Sequence, residues 1–468
     1  MVRPASLLLA SIALVLGLAS ASDVQVHVRV HHHHNEQHAA KASQATYVVK
    51  HAPRKVFQVT GSEAALKQLL TPAVQSELGL DVWRMARVGH GNVQAKIMAT
   101  SDAMATLQAG FRSHAQSMSR GKVHGKRHVG TMKLHVKLAE EDDEATIEQN
   151  IAQDRKDVAT CLNTTKGYQD KLKTAESYTE SAYFDCFRPY DEIGAFFDTL
   201  TELNPEFVTK IQNISTTFEG RSINAYKLST STTKSSRRLA EKKTKGAVYT
   251  QSLVHAREWQ GGASAHYTFA SMVEDLRAGD ADALKLLADV DWYFVPLVNV
   301  DGYKYSWEVD RYWRSNRHEA NGFEGVDLNR NYPAVEHNKS EDIDVTTETY
   351  PGAKPLSEPS TKGIFDYVTT LPGLIGFVDV HAYGGLVLRP FGDIVAEPEE
   401  PYGSKLKHLG DSVRDAISPK GAFQYVSQPS AEFYPAFGCA DDAIFRRSNF
   451  SVATLTIEVE GEDFIAPQ

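Results

Sequence analysis

Val254-His255-Ala256-Arg257-Glu258-Trp259 is the stretch on which the reading of this chain turns. It follows the β-leaning run Ala247-Val248-Tyr249-Thr250-Gln251-Ser252-Leu253 and precedes Gly261-Gly262 and an alanine-rich helical pattern. A strand is therefore predicted to end where an imidazole and a carboxylate appear three residues apart. In open α/β sheets, ligands bind outside the carboxyl ends of the strands. Histidine nitrogen and carboxylate oxygen suit Zn²⁺, and a catalytic zinc needs three protein ligands and one open position. His-x-x-Glu alone is common on polar helix faces, so the third ligand has to come from another strand end. Leu374-Ile375-Gly376-Phe377-Val378-Asp379-Val380 is a short apolar run, uncharged until its end, with the pattern of a buried strand. It delivers His381-Ala382-Tyr383-Gly384-Gly385.

Further motifs follow in order: Asn299-Val300-Asp301-Gly302, Arg311-Tyr312-Trp313-Arg314 and Gly325-Val326-Asp327-Leu328-Asn329-Arg330-Asn331. With His255 to Trp259 before them and His381 to Tyr383 after, the series resembles the zinc carboxypeptidases of the pancreatic A/B type. The match runs from about residue 180 to the end of the chain. The resemblance implies an α/β fold, a mixed and mainly parallel sheet flanked by helices. It also implies one Zn²⁺ held by His255, Glu258 and His381. Glu458, within Thr456-Ile457-Glu458-Val459, matches the family's catalytic carboxylate; Glu460 and Glu462 are alternatives if the register slips. Peptide hydrolysis needs an activated water, a proton carrier and a cation for the oxyanion. Arg314 falls at the oxyanion arginine, and Asn329 and Arg330 at the pair that grips the substrate's terminal carboxylate.

Arg257 and Tyr383 fall at flanking subsites, where a surface ion pair and plain core packing are the bland alternatives. Tyr434 aligns with the tyrosine that closes over substrate; its spacing to Glu458 is two residues longer than in the family, and Phe433 competes for the place. Seven residues on, Asp441 aligns with the floor of the side-chain pocket. An acid there implies a preference for C-terminal Lys and Arg, as in B-type enzymes; an apolar pocket implies the A-type preference for hydrophobic residues. Trp259 and Trp313 read as packing. The family continues through a C-terminal helix, whereas ten residues follow Glu458 in this chain.

The chain has 468 residues, room for more than one domain. It is 42% hydrophobic and 23% charged, the balance of an ordinary globular protein. A net charge of −9 and a pI near 6.1 argue against a nucleic-acid partner. Residues 1–21 carry Arg3, an apolar run and Ala19-Ser20-Ala21, the pattern of a secretory signal, and predict an extracellular protein. No later run is apolar for long enough to span a bilayer, so no membrane attachment is expected after signal removal. Asn163, Asn213, Asn338 and Asn449 open glycosylation acceptor tripeptides. Three cysteines allow one pair, with Cys161–Cys186 a candidate, and leave an odd thiol.

Residues 22–44 hold a histidine-rich tract, expected to be a disordered tail with metal chelation as the sharper alternative. Residues 45–125 then read as strand, helix, two strands around Gly89-His90-Gly91, and a second helix, with Ser62 and Ser101 at the helix starts. A further strand is predicted within Met132-Lys133-Leu134-His135-Val136-Lys137-Leu138. That order is most of a ferredoxin-like plan. It resembles the inhibitory prodomain of digestive procarboxypeptidases. Residues 126–175 read as a charged linker open to an activating protease, and residues 176–468 as the catalytic domain. The basic run of residues 235–243 reads as a surface loop. The whole is expected to be a monomeric zymogen acting on peptide and protein C-termini. Its rivals are a catalytically inactive C-terminus-binding module on the same fold and a zinc amidohydrolase on a related one.

Overall fold

The central strands of the larger sheet form where apolar, β-branched and aromatic residues run nearly unbroken, and helices pack on that sheet. The computed structural model describes residues 54–87, 92–120, 135–138, 144–230, 245–320, 323–334, 345, 347–418 and 423–465. The signal segment, the histidine-rich tract, Asn338 and the basic run at 235–243 lie outside them. No helix among the described residues is long and apolar enough to cross a membrane.

The first unit holds β1 (Arg54–Ser62), β2 (Asp81–Arg87), β3 (Asn92–Thr100) and β4 (His135–Leu138) in the order β2-β3-β1-β4. All three pairings are antiparallel. Helices Glu63–Leu69 and Ser101–Arg120 supply the ferredoxin-like arrangement expected from the order of the elements. Ser62 does cap the first, its hydroxyl accepting from the Ala65 amide. Val59, Leu66, Leu80, Ile97 and Leu107 close a small core. Strand β2 is left at one edge of the sheet.

The second unit is built on eight strands. In chain order these include β5 (Val208–Thr216), β6 (Ser222–Leu228), β7 (Gly246–Ser252) and β8 (Val290–Val295). The short pair β9 (Glu319–Ala320) and β10 (Phe323–Glu324) stands apart. Then come β11 (Leu374–Ala382), β12 (Leu386–Arg389), β13 (Val426–Pro429) and β14 (Ala453–Val459). The order is β13-β12-β14-β11-β7-β8-β6-β5. The middle strands β14, β11, β7 and β8 run parallel, while β5, β6 and the β12–β14 pair are antiparallel. Strands β7 and β11 are buried on both faces, as the continuous apolar runs require. Helices such as Tyr190–Leu203, Trp259–Ala278 and Tyr402–Ile417 cover them.

The stretch read as a linker differs from expectation. It contains helix Glu144–Thr164 and helix Tyr168–Leu172. Val158, Tyr168 and Leu172 belong to the core of the second unit, with Ile151 and Leu162 packed against it. Asp154 on this helix pairs with Arg311 at 3.2 Å, both nearly inaccessible to solvent. The Cys161–Cys186 disulfide fixes the helix end to the segment before helix Tyr190–Leu203. Apolar spacing along an otherwise charged surface helix is enough to dock it.

Candidate active site

Because β14, β11 and β7 are parallel, their carboxyl ends open on one side of the sheet, and three ligand candidates converge there. Strand β7 ends at Ser252, and the chain turns through Leu253 at a positive φ to present His255 and Glu258. His381 stands near the end of β11. The start of helix Trp259–Ala278 passes so close that a Cβ on Gly261 would lie 2.9 Å from the His381 carbonyl carbon. Asn299 ties the layer together: its amide donates to the carbonyls of Val254 (3.1 Å) and Ser315 (3.0 Å), fixing the zinc-motif loop beside the Arg314 segment.

His255 Nδ1 lies 2.7 Å from Glu258 Oε1, His381 Nδ1 lies 2.9 Å from Glu258 Oε2, and the two Nδ1 atoms are 3.1 Å apart. Each ring's other nitrogen faces a buried carboxylate: His255 Nε2 is 3.2 Å from Asp327 and His381 Nε2 is 3.1 Å from Asp379. With each Nε2 proton shared with its carboxylate, both Nδ1 lone pairs would point at the same place. Two nitrogens and a carboxylate facing one another suit a divalent cation far better than they suit each other. The three side chains are the one such group among the described residues. Burial resists ionisation of Glu258, but the two imidazoles outweigh it and hold the carboxyl below its usual range.

Glu458 is paired across the parallel ladder with His381, residue for residue. Neighbouring strands lie about 4.8 Å apart, so both side chains leave the same face of the sheet side by side. Burial lifts the Glu458 carboxyl to about 7; His381 opposes the rise, Glu258 adds to it and Arg314 opposes it. Its side chain nevertheless keeps partial solvent access. Glu460 and Glu462, beyond the end of β14, are exposed. Arg314 sits across the group, its Nε donating to Asp327 at 2.9 Å and its guanidinium 4.0 Å from Glu258.

Asn329 and Arg330 lie on the short helical turn Leu328–Arg330. Asn329 Nδ2 reaches to 3.5 Å of His381 Nε2, while its Oδ1 accepts from the Ala440 amide. Arg330 donates to the Tyr434 hydroxyl at 3.3 Å and lies 3.6 Å from the Cys439 sulfur. Tyr434, not the more buried Phe433, therefore faces the Arg330 guanidinium. Asp441 opens helix Ala440–Arg447, 3% exposed, with the Thr456 hydroxyl (3.2 Å) and the Asp442 amide (2.9 Å) as donors. No lysine or arginine among the described residues pairs with it. Burial pushes its carboxyl up. Trp259 is core, stacked on Trp307.

The edge strand β2 of the first unit lies over this region. Asp81 grips Arg257 with both oxygens, at 2.7 and 3.0 Å, and Glu348 adds a third contact at 2.9 Å. Burial alone would raise the Asp81 carboxyl, but Arg257 overrides it and holds it well below the usual range. Trp83 stacks on Tyr312 with centroids 5.2 Å apart and meets Phe464 edge-on. Met85 packs against the cluster of Leu386, Leu388, Phe433 and Tyr434. Arg257 is thus ion-paired but buried, and Tyr383 is packed on Phe464.

Sequence reasoning missed Asp327, Asp379, Asp81 and Phe464. Asp379 was within reach, since it is the single charge in an apolar strand, two residues before His381 and so on the same face. Asp327 stands inside a motif already singled out. Asp81 lies in the stretch Leu78-Gly79-Leu80-Asp81-Val82-Trp83-Arg84, which resembles the prodomain, but its partner Arg257 could not be read from it.

Residues 193–468 match the family model described as zinc carboxypeptidase. Among curated proteins, a metallocarboxypeptidase A-like protein of Trichophyton verrucosum (strain HKI 0517) is 25% identical over 421 residues, 88% of this chain and 85% of that protein. Carboxypeptidase A1 of Mus musculus is 31% identical over 264 residues, 56% of this chain and 60% of that protein. Carboxypeptidase B2 of Rattus norvegicus is 30% identical over 283 residues, 59% and 64% of the two. This chain therefore spans less than two thirds of those two mammalian relatives. Carboxypeptidase A from Helicoverpa armigera is similar in structure, with a TM-score of 0.66, 22% identity and coverage of 88% and 91%. Thrombin activatable fibrinolysis inhibitor (TAFI) gives a TM-score of 0.58 at 21% identity, covering 88% and 93%. At those identities the two structures speak for the fold.

Proposed function

This chain belongs to the zinc carboxypeptidase family, and from that premise we propose that it removes single residues from the C-termini of peptides and proteins. The observation that carries the reading is the pairing of Glu458 with His381, beside the convergent donors His255, Glu258 and His381. Those three residues would hold a zinc ion, which supplies Lewis-acid polarisation of a carbonyl and acidifies water. Glu458 takes a proton from the attacking water and returns it to the departing amine. A carboxyl lifted to about 7 suits both halves of that exchange. Arg314 offers its guanidinium to the developing oxyanion. Asn329 and Arg330 clamp the terminal carboxylate, and Tyr434 closes over it from its place beside Arg330. That clamp restricts the reaction to a free C-terminus.

The departing side chain then faces Asp441. A buried carboxylate with no cationic partner is costly, and a substrate Lys or Arg would relieve the cost. We therefore assign a B-type preference for basic C-terminal residues. Residues 45–125 act as an inhibitory prodomain, since Asp81, Trp83 and Met85 occupy ground that a substrate needs. Export fits the signal pattern and the exposed acceptor residues Asn163, Asn213 and Asn449. The test is a panel of blocked dipeptides ending in Arg, Lys, Phe or Leu, assayed before and after limited trypsin. Cleavage that appears after trypsin, needs zinc and favours Arg and Lys is the expected result. Binding of the peptides without turnover would instead favour the inactive module.

A further inference from the structure

Asp463 lies outside the machinery described so far, yet its carboxylate is fixed where the covering unit meets the second unit. Its Oδ1 accepts from the Tyr312 hydroxyl (3.0 Å) and from the Ile465 amide (3.1 Å). Its backbone carbonyl is held by the Gln260 side chain at 2.6 Å. The remaining oxygen, Oδ2, meets Lys96 Nζ of strand β3 at 2.9 Å, with side-chain exposures of 20% for the lysine and 24% for the acid. The next residue, Phe464, lies against the Arg257 guanidinium at 4.3 Å and the Tyr383 ring at 5.0 Å. Asp463 is therefore a neighbour of both residues placed at the flanking subsites, and Arg257 is two positions from the metal ligand His255.

The partner of this fixed carboxylate comes from the unit that covers the cleft. The lysine sits beside Trp83, which is itself stacked on Tyr312. When that unit departs, an anion held in place by a tyrosine hydroxyl and an amide is left facing the cleft, bordered by aromatic rings. A cationic side chain of the substrate can take the place of Lys96 on that carboxylate, with its stem along the Tyr312 and Phe464 rings.

We propose that Asp463 is a specificity-determining residue that recruits a basic side chain upstream of the scissile bond, so that the enzyme favours C-termini with successive Lys or Arg residues. The inference rests on the carboxypeptidase reading, with the covering unit removed in the active form.

The test uses the full chain after limited trypsin and two sets of blocked tripeptides, one ending in Arg and one in Phe. Within each set the two preceding residues are Ala-Ala, Ala-Lys or Lys-Ala. Cleavage of the Ala-Ala peptides reports on the carboxypeptidase reading, and the Arg set against the Phe set reports on Asp441. The ratio of Lys to Ala peptides at fixed terminal residue reports on Asp463 alone. The expected ratio in kcat/KM is about 5- to 10-fold, the size of a partly desolvated charge pair, and it should shrink as salt is raised. Asp463→Asn should bring it close to one while Asp463→Glu keeps part of it, with thermal melts confirming that both variants fold. Equal rates on Lys and Ala peptides in the wild type, or a ratio unaffected in Asp463→Asn, would overturn the assignment.

Discussion

Replacing Asp81 with Asn probes the contact between the covering unit and the cleft most directly. In the intact chain the carboxylate holds Arg257 through two short bonds and also accepts from the Trp83 indole. Asp81 and Arg257 are 3% and 1% exposed, so water screens the pair very little. Removing one member of a buried ion pair costs about 3–5 kcal/mol when the other is left uncompensated. Here Glu348 still reaches Arg257 at 2.9 Å, which lowers the expected cost to about 2–3 kcal/mol. At about 1.4 kcal/mol per factor of ten, the undocked fraction rises about 30- to 150-fold. The assay is hydrolysis of a small blocked dipeptide by the uncleaved chain, as a fraction of the rate after full trypsin activation. The Asp81→Asn chain should show a clear basal rate where the wild type shows almost none, and the two should converge after activation. If uncleaved Asp81→Asn stays as silent as the wild type, Asp81 does not hold the unit in place. If the uncleaved wild type is already fully active, the cover does not inhibit.

Further expectations concern the site itself. Glu458→Gln should keep its zinc by metal analysis and lose about 10²- to 10⁴-fold in kcat, whereas Glu460→Gln should turn over normally; the reverse pattern would move the base by two residues. Asp379→Asn should weaken zinc affinity about 10- to 100-fold by releasing the His381 ring, and chelator titration showing an unchanged affinity would rule that support out. Asp441→Ala should lose most of any preference for Arg over Phe peptides; a wild-type preference for Phe that survives the substitution would show an apolar pocket. Docking of the covering unit should respond to acid with a definite sign. The Asp81 carboxyl is held below its usual range in the docked state, so its contribution is complete above about pH 4 and is lost as pH falls further. The fraction of uncleaved chain that an irreversible active-site inhibitor traps during brief exposure to acid, read as activity lost on later trypsin activation at neutral pH, should rise only below that range.

The elements that could be read in advance are those whose evidence is local. Strands β7 and β11 are unbroken apolar runs, and their ends carry His255, Glu258 and His381 within a few residues of a turn. Glu458 could be singled out only through the family resemblance, since by itself it reads as a glutamate at the end of a strand. Helix Glu144–Thr164 reads as linker because the acidic run Glu140-Glu141-Asp142-Asp143-Glu144 leads into it and polar residues outnumber apolar ones along it. Its docking stripe of Ile151, Val158 and Leu162 is three residues in a helix of 21. The partner carboxylates Asp327 and Asp379 could be seen as residues but not as partners. The distance from His255 to Asp327 depends on how a segment of 72 positions, with helices and strand β8 inside it, folds back. Asp81 is harder still, since its contact with Arg257 joins two separately folded sheets across 176 positions and leaves no periodic trace.

The Cys161–Cys186 bond bears on how much of the chain forms the working domain. It joins the end of helix Glu144–Thr164 to a segment of the second unit, while Asp154 on that helix faces Arg311. Arg311 in turn donates to the carbonyls of Arg257 and Phe464, so it braces the wall on which the zinc-motif loop rests. A single cut between residues 161 and 186 would divide the polypeptide without parting its pieces, and Asp154 would stay with Arg311 until the bond was reduced. A recombinant domain begun at residue 176 would lack both. It would carry Cys186 as an unmatched thiol and Arg311 as a buried cation deprived of Asp154, which makes residue 144 the better place to start it.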